Sequence, residues 1–227
     1  MGLIHSVAQF FEAGGKMMLP ILLVGLVGLA IAIERFVTIA RAQAQTKRMW
    51  AQVEPSLGEG DFDKARKIVD EDKDNTPLGR LLGAGLAMQG AVRRRDDVEK
   101  AMQEGIMEIV PRLEKRTHYL GTFANLATLV GLLGTVSGLI SAFSAVAMAN
   151  PAEKANMLSA SISEAMNCTA FGLGTAVPLL FLHAFLTSRT QHLVESLEMA
   201  AIKYLNVLTL RTNRIAQQAP VQNIRAA

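Results

Sequence analysis

The sequence lacks most of the groups that enzymes and metalloproteins use. It contains no G-x-x-x-x-G-K-[ST] phosphate-binding loop, and its four histidines, His5, His118, His183 and His192, show no metal-ligand spacing. No two acidic residues are spaced to flank a substrate. The sequence therefore predicts a protein that is not an enzyme and that needs no nucleotide, cofactor or metal.

The sequence also has little cysteine and no strong excess of charge of one sign. Cys168 is the single cysteine of 227 residues, so it cannot form an internal disulfide, and its apolar surroundings favour a small core residue over a redox group. The net charge is only +3, and residues 41–118 hold 15 Lys or Arg against 14 Asp or Glu. Such mixed charge predicts no nucleic-acid-binding face.

Charge is absent altogether from three apolar runs, which are Met17–Ile33, approximately Leu120–Met148, and Ala165–Leu186. A bilayer core of ~30 Å requires about 20 helical residues, because each residue advances the helix by ~1.5 Å. The first run reaches this length if Arg35 snorkels and the helix continues to residue 40. The sequence thus predicts an all-α integral membrane protein with transmembrane helices at 17–40, 119–148 and 161–187.

The flanking charges predict the orientation of these helices. Basic residues follow the first run, precede the second and follow the third, and they include Arg41, Lys47, Arg112, Lys115 and Arg189. Because cytoplasmic flanks are rich in Lys and Arg, we expect segments 41–118 and 188–227 to be cytoplasmic, and segments 1–16 and 149–160 to lie outside. A cleaved signal peptide is disfavoured because only Lys16 precedes the first run.

The 41–118 segment has a helical pattern that is interrupted at Thr76–Pro77, where Asn75 or Thr76 begins a new helix. A further helical pattern runs from Asp96 into the second span with no loop signal, and Pro111 is its predicted kink. The stretch 117–152 has no formal charge. As a helix it would measure ~54 Å, so we expect long cytoplasmic helical extensions whose apolar surface is covered in an oligomer.

Small residues form stripes at helical spacing on the second and third spans. Such stripes either pack against a helix or line a narrow pore, because small side chains let backbones approach closely. The second-span stripe contains Ala124, Thr128, Gly131, Thr135, Gly138, Ala142 and Ala145, and the third-span stripe contains Ala165, Thr169, Gly172 and Ala176.

Two segments carry a family resemblance. "GLLGTVSGLISAF" at 131–143 and "ISEAMNCTAFGLGTAVPLL" at 162–180 resemble the two signature segments of the MotA/TolQ/ExbB proton-channel family. The Ile33-Glu34-Arg35 sequence at the end of the first span and "TPLGRLLGAGL" at 76–86 also match the family. The chain is similar to the ExbB/TolQ-like, three-span stator subunits over nearly its whole length.

The resemblance implies a ring-forming subunit of an inner-membrane motor, with a periplasmic N-terminus and a cytoplasmic C-terminus. It implies a homopentamer around two copies of a single-span, ExbD/TolR-like partner that supplies a transmembrane Asp. Proton flow would then drive mechanical work on the cell envelope. Outer-membrane transport, envelope maintenance and gliding motility stay open as the process, and sodium stays open as the ion.

The family motifs assign candidate site residues. By resemblance, Thr135 and Thr169 line the pore, and Glu164 is the acid that opens the second motif. Glu164 and Thr169 lie ~140° apart around a helix, so a proton-entry role and a contact between subunits both stay open for Glu164. We also predict close helix packing at small residues and a kink at a proline. These positions are Gly131, Gly134, Gly138, Gly172, Gly174 and Pro178.

Two other functions have to be weighed against the channel. A secondary transporter usually shows inverted repeats, which three spans without a detectable repeat do not provide. A passive oligomeric membrane scaffold requires only the small-residue stripes, and it tolerates loss of the hydroxyls at Thr135 and Thr169. Substitution of these threonines by valine therefore separates the scaffold from the channel.

Overall fold

The computed structural model describes residues 14–73, 75–91 and 95–218. Every regular element in these ranges is an α-helix, which confirms the predicted all-α class. The helices are α1 (Met18–Glu59), α2 (Phe62–Asp72), α3 (Pro77–Ala91), α4 (Arg95–Glu114), α5 (Thr117–Met148) and α6 (Lys154–Gln218). Most of the predicted outer segment 1–16, and the end of the predicted tail, lie outside the described residues.

Within the described residues, three stretches of helix are long and apolar enough to cross a membrane, as predicted. They lie in α1, in α4 with α5, and in α6. α1 has 42 residues and α6 has 65, which correspond to ~63 Å and ~98 Å of helix, well beyond a ~30 Å bilayer core. Both helices continue past their apolar stretches, so each also contributes to a part of the protein outside the lipid.

The helix that was expected to run unbroken into the second span is interrupted at Arg116. α4 ends at Glu114 and continues through Pro111, whereas Arg116 adopts a left-handed backbone with φ of 67°. That conformation costs about 1–2 kcal/mol for a residue with a side chain. The Arg116 guanidinium is paired with both carboxylate oxygens of Glu34 on α1, at 2.8 and 2.9 Å. A single guanidinium nitrogen, Nη1, makes both contacts, which hold the Arg116 side chain against α1, and no local sequence signal encodes this ion pair.

The described chain forms two compact units. The first contains the residues up to Phe36 and Arg116–Thr187, and the second contains Val37–Lys115 and the residues from Ser188 onward. The core of the first unit is built from small or medium side chains: Ile21, Ala124, Ala127, Cys168, Ala176 and Leu179. Large apolar side chains of this unit point outward, for example Ile140 and Phe143, each 63% exposed. An outward apolar surface of this kind is suited to lipid or to neighbouring membrane helices.

The second unit has a conventional hydrophobic core that joins all of its helices. Its most buried large side chains include Leu78, Leu81, Leu82, Met102, Leu197 and Tyr204. Thr76 caps α3, because its Oγ1 accepts a hydrogen bond from the Gly79 amide at 3.0 Å, and Pro77 follows as the first helical residue. Of the two predicted start positions, Thr76 is therefore the one used.

Candidate functional site

The two signature segments meet where α5 and α6 pack backbone to backbone. A Cβ atom added to Gly172 would lie 2.7 Å from the carbonyl oxygen of Ala127 and 3.0 Å from Cα of Gly131. Backbone atoms cannot move aside as a flexible side chain can, so only glycine fits at position 172. This contact fixes the register of α5 against α6.

The same helix pair remains close over the following turns of α5. A Cβ atom on Gly134 would lie 3.2 Å from Cβ of Cys168, and one on Gly138 would lie 3.0 Å from Cβ of Ala165. The two stripes of small residues therefore pack against each other within one chain. Four of the predicted packing glycines, Gly131, Gly134, Gly138 and Gly172, lie along this contact.

Gly174 and Pro178 are placed differently. A Cβ atom on Gly174 would have no neighbour within 4 Å among the described residues, so Gly174 makes no close packing inside the chain. Its close packing stays a prediction for contacts between copies. Pro178 lies inside α6, which is helical on both sides of it, and a kink there also stays a prediction.

The glycine contact brings the candidate threonines together. Oγ1 of Thr169 donates a hydrogen bond to the Gly131 carbonyl of the other helix at 2.9 Å, and it lies 3.4 Å from Oγ1 of Thr135. Oγ1 of Thr135 donates to the Leu132 carbonyl of its own helix at 2.6 Å. Both threonine side chains are half-buried. We call this arrangement the threonine pair.

The threonine pair has acceptor capacity left over. A hydroxyl carries one proton and two lone pairs, so donation to a backbone carbonyl leaves its oxygen able to accept. In this arrangement both oxygens can accept a hydrogen bond from a protonated carboxylic acid. If a hydroxyl rotates away from its carbonyl, it can instead donate to the ionised carboxylate. The pair can thus accommodate both protonation states of an acid brought from outside the chain.

Glu164 is exposed and lies apart from the threonine pair. Its carboxyl group lies against Gly15, the residue two positions before the predicted start of the first span, and Gly15 has φ of +71°. Thr169 faces α5, whereas Glu164 faces the turn that leads into α1. This neighbour of Glu164 was not predicted from the sequence, although the Gly14–Gly15 dipeptide before an apolar run is a recognisable turn signal.

A second charged group occupies the other end of the first span. Arg35 is only 7% exposed, and its Nη2 atom lies 3.1 Å from Oε1 of Glu34, the acid that also pairs with Arg116. The expected snorkelling of Arg35 toward the membrane interface stays a prediction. Glu34 thus joins two arginines, which gives the Ile33-Glu34-Arg35 sequence a structural role.

Comparison with known proteins bears on the family to which this chain belongs. Residues 73–199 match the model of the MotA/TolQ/ExbB proton channel family, a stretch that includes both signature segments. The chain is 31% identical over 180 residues to an ExbB-like biopolymer transport protein of Synechocystis, covering 78% of this chain and 69% of the relative.

Two further relatives extend the comparison. An ExbB homolog of Methanothermobacter thermautotrophicus is 24% identical over 221 residues, covering 96% of this chain and 76% of the relative. The Tol-Pal system protein TolQ of Haemophilus influenzae is 34% identical over 90 residues, covering 40% of this chain and 39% of the relative. The three apolar helices and these relatives indicate an inner-membrane protein of the channel and transport type. The chain belongs to the MotA/TolQ/ExbB proton channel family.

Proposed function

We propose that this chain is the proton-channel and stator subunit of an inner-membrane motor that couples the proton-motive force to mechanical work on the cell envelope. The threonine pair is the observation that carries this proposal. It is built from both signature segments, it lies between two spans, and its hydroxyls retain the capacity to accept a hydrogen bond. Thr135 and Thr169 are the proposed pore-lining residues, and Glu164 is the proposed entry acid.

The proposal requires a partner that supplies an ionisable group. The apolar runs that contain the threonine pair, approximately Leu120–Met148 and Ala165–Leu186, hold no Asp, Glu, Lys or Arg. A proton relay needs a group that binds and releases the proton, which a hydroxyl alone does poorly. A single-span partner of the ExbD/TolR type with a transmembrane Asp would place a carboxyl group beside the threonine pair. Two copies of this partner inside a ring are proposed.

The exposed apolar surface of α5 supports a ring of copies. α5 has 32 residues, or ~48 Å of helix, which is longer than a ~30 Å bilayer core. Its outward side chains include Leu133, Ile140 and Phe143, each more than half exposed, and within the predicted span 119–148 either lipid or a neighbouring copy can cover them. The part of α5 that extends beyond the lipid needs protein to cover it. We propose that neighbouring copies do so in a homopentamer, with the N-terminus periplasmic and residues 41–118 and 188–227 cytoplasmic.

The test is to isolate the complex from its native membrane, identify its components, and measure proton flux in liposomes. We expect a small single-span protein to accompany this chain. We also expect the complex to conduct protons, and this chain alone to conduct little. Equal flux from the chain alone and from the complex would contradict the need for a partner acid. If no small membrane partner is found and no flux is measured, the passive oligomeric scaffold is favoured instead.

A further inference from the structure

The turn that leads into α1 holds a glycine directly against Glu164. A Cβ atom added to Gly15 would overlap Oε1 of Glu164, and it would lie 2.9 Å from Cδ and 3.3 Å from Cγ. The whole carboxyl group, and not only its tip, therefore adjoins the Gly15 backbone. The φ of +71° at Gly15 is a second reason for glycine, because residues with side chains rarely adopt it.

This turn also lies beside α5, the helix that packs on α6. The Met18 amide donates to the Gly15 carbonyl at 3.2 Å, which closes the turn at the start of α1. The Cβ atom of Met17 would lie 3.4 Å from a Cβ atom added to Gly134, which itself packs on Cys168. The turn that contains Gly15 therefore adjoins α5 as well as the Glu164 carboxyl group of α6.

We propose that Gly15 is a positioning residue for Glu164, and that the turn before α1 sets where this carboxyl group stands at the entrance of the candidate proton pathway. The inference rests on the proposed function, because it gives Glu164 a place in that pathway. The end of a glutamate side chain is flexible, so an added methyl group at position 15 displaces the carboxyl group without moving the helices. Proton uptake then changes while assembly does not.

The experiment measures proton flux through the intact complex in liposomes, with the variant Gly15→Ala. We expect flux to fall about tenfold or more, because a misplacement of ~1 Å at a reacting group can cost up to ~100-fold. The matched control is Gly60→Ala, since Gly60 has φ of +77° and no neighbour within 4 Å of an added Cβ atom. The Gly60→Ala variant forces alanine into the same backbone conformation but creates no new contact. Proton flux through its complex should therefore equal that of the unaltered complex.

Two double variants test whether Gly15 acts through Glu164. Aspartate is one methylene shorter, so Gly15→Ala with Glu164→Asp should recover part of the lost flux and shift the pH profile of flux relative to Gly15→Ala. In a Glu164→Gln background, Gly15→Ala should cause no further loss. Native mass measurement of each variant complex ensures that flux is compared only between assembled complexes. If Gly15→Ala does not assemble, Gly15→Ser provides a second small substitution.

The outcomes separate this inference from the proposed function. If Glu164→Gln lowers flux while Gly15→Ala behaves like Gly60→Ala, the positioning role is refuted and the entry role of Glu164 stands. Equal losses from Gly15→Ala with and without the Glu164 carboxylate would also refute it. Normal flux in Glu164→Gln would instead remove Glu164 from the proton pathway, and the positioning role with it.

Discussion

Replacement of Thr169 by valine tests whether the threonine pair conducts. Valine has nearly the same shape, so the substitution removes only the hydroxyl that donates to the Gly131 carbonyl at 2.9 Å and lies 3.4 Å from Oγ1 of Thr135. Hydrogen bonds between membrane helices contribute ~0.6 kcal/mol on average and ~1.7 kcal/mol at most. The average value corresponds to a change of only about threefold in an equilibrium constant, so the complex should still assemble.

Proton flux should respond much more strongly than assembly. In the proposed function the Thr169 hydroxyl orients the partner's carboxyl group, and a misplacement of ~1 Å at a reacting group can cost up to ~100-fold, so Thr169→Val should lower flux per complex by about tenfold or more. The assay is pH-driven flux into liposomes, normalised to the amount of intact complex found by native mass measurement. The matched control is Thr175→Val on the same helix, because within the described part of the chain Oγ1 of Thr175 donates to the Phe171 carbonyl of its own helix, at 2.9 Å, and to no other helix.

The two valine variants give a clear decision. If the Thr169→Val and Thr175→Val complexes show equal proton flux, the Thr169 hydroxyl does not take part in conduction, and the passive scaffold is favoured. A loss of flux that matches the loss of assembled complex would mean that Thr169 serves helix packing. Only a loss of flux well beyond about threefold, with assembly retained, supports a role in conduction.

Three further predictions follow from the packing, the charge pattern and the burial of a tyrosine. Gly172→Leu should prevent assembly, because a Cβ atom at position 172 would lie 2.7 Å from a backbone oxygen. Gly174→Leu should leave the monomer fold intact, because a Cβ atom at position 174 has no neighbour within 4 Å among the described residues. Equal stability of the two variants in thermal unfolding would contradict the α5–α6 contact. A cysteine introduced at Arg95 should react with membrane-impermeant reagents only from the cytoplasmic side, and labelling from outside would refute the predicted orientation. Burial raises the pKa of Tyr204, so the tyrosine ionises first in the unfolded chain and stability should fall as pH rises above about 10. Tyr204→Phe should flatten this alkaline dependence in thermal unfolding, and an unchanged slope would show that other groups cause it.

The start of α3 shows what local sequence can specify. Thr76 before Pro77 carries its own structural information, since a hydroxyl can cap a helix and proline fits the first helical position. The interruption at Arg116 shows the opposite case. Neither Arg116 nor its neighbours are typical of a helix break, and the side chain of Arg116 pairs with Glu34, which is 82 residues away in the chain. A contact of this kind cannot be read from local propensity.

The small-residue stripes were visible in the sequence, but their partner was not. Spacing of three and four residues places Gly131 and Gly138 on one face of a helix, and this periodicity alone fits a pore lining as well as a helix contact. The structure shows that this face packs on Gly172 and Ala165 of the same chain. Because small side chains have little chemical character, only the three-dimensional packing identifies what they contact.

The sequence by itself determined the class of the protein, its three apolar helices and its candidate threonines, because absence of charge over some 20 residues and the two signature segments are properties of consecutive residues. The tertiary structure alone decided that Thr135 and Thr169 lie 3.4 Å apart and that Glu164 faces Gly15. These pairs are separated by 34 and 149 positions in the chain. Their proximity depends on how glycine-lined helices approach each other, which no single segment specifies.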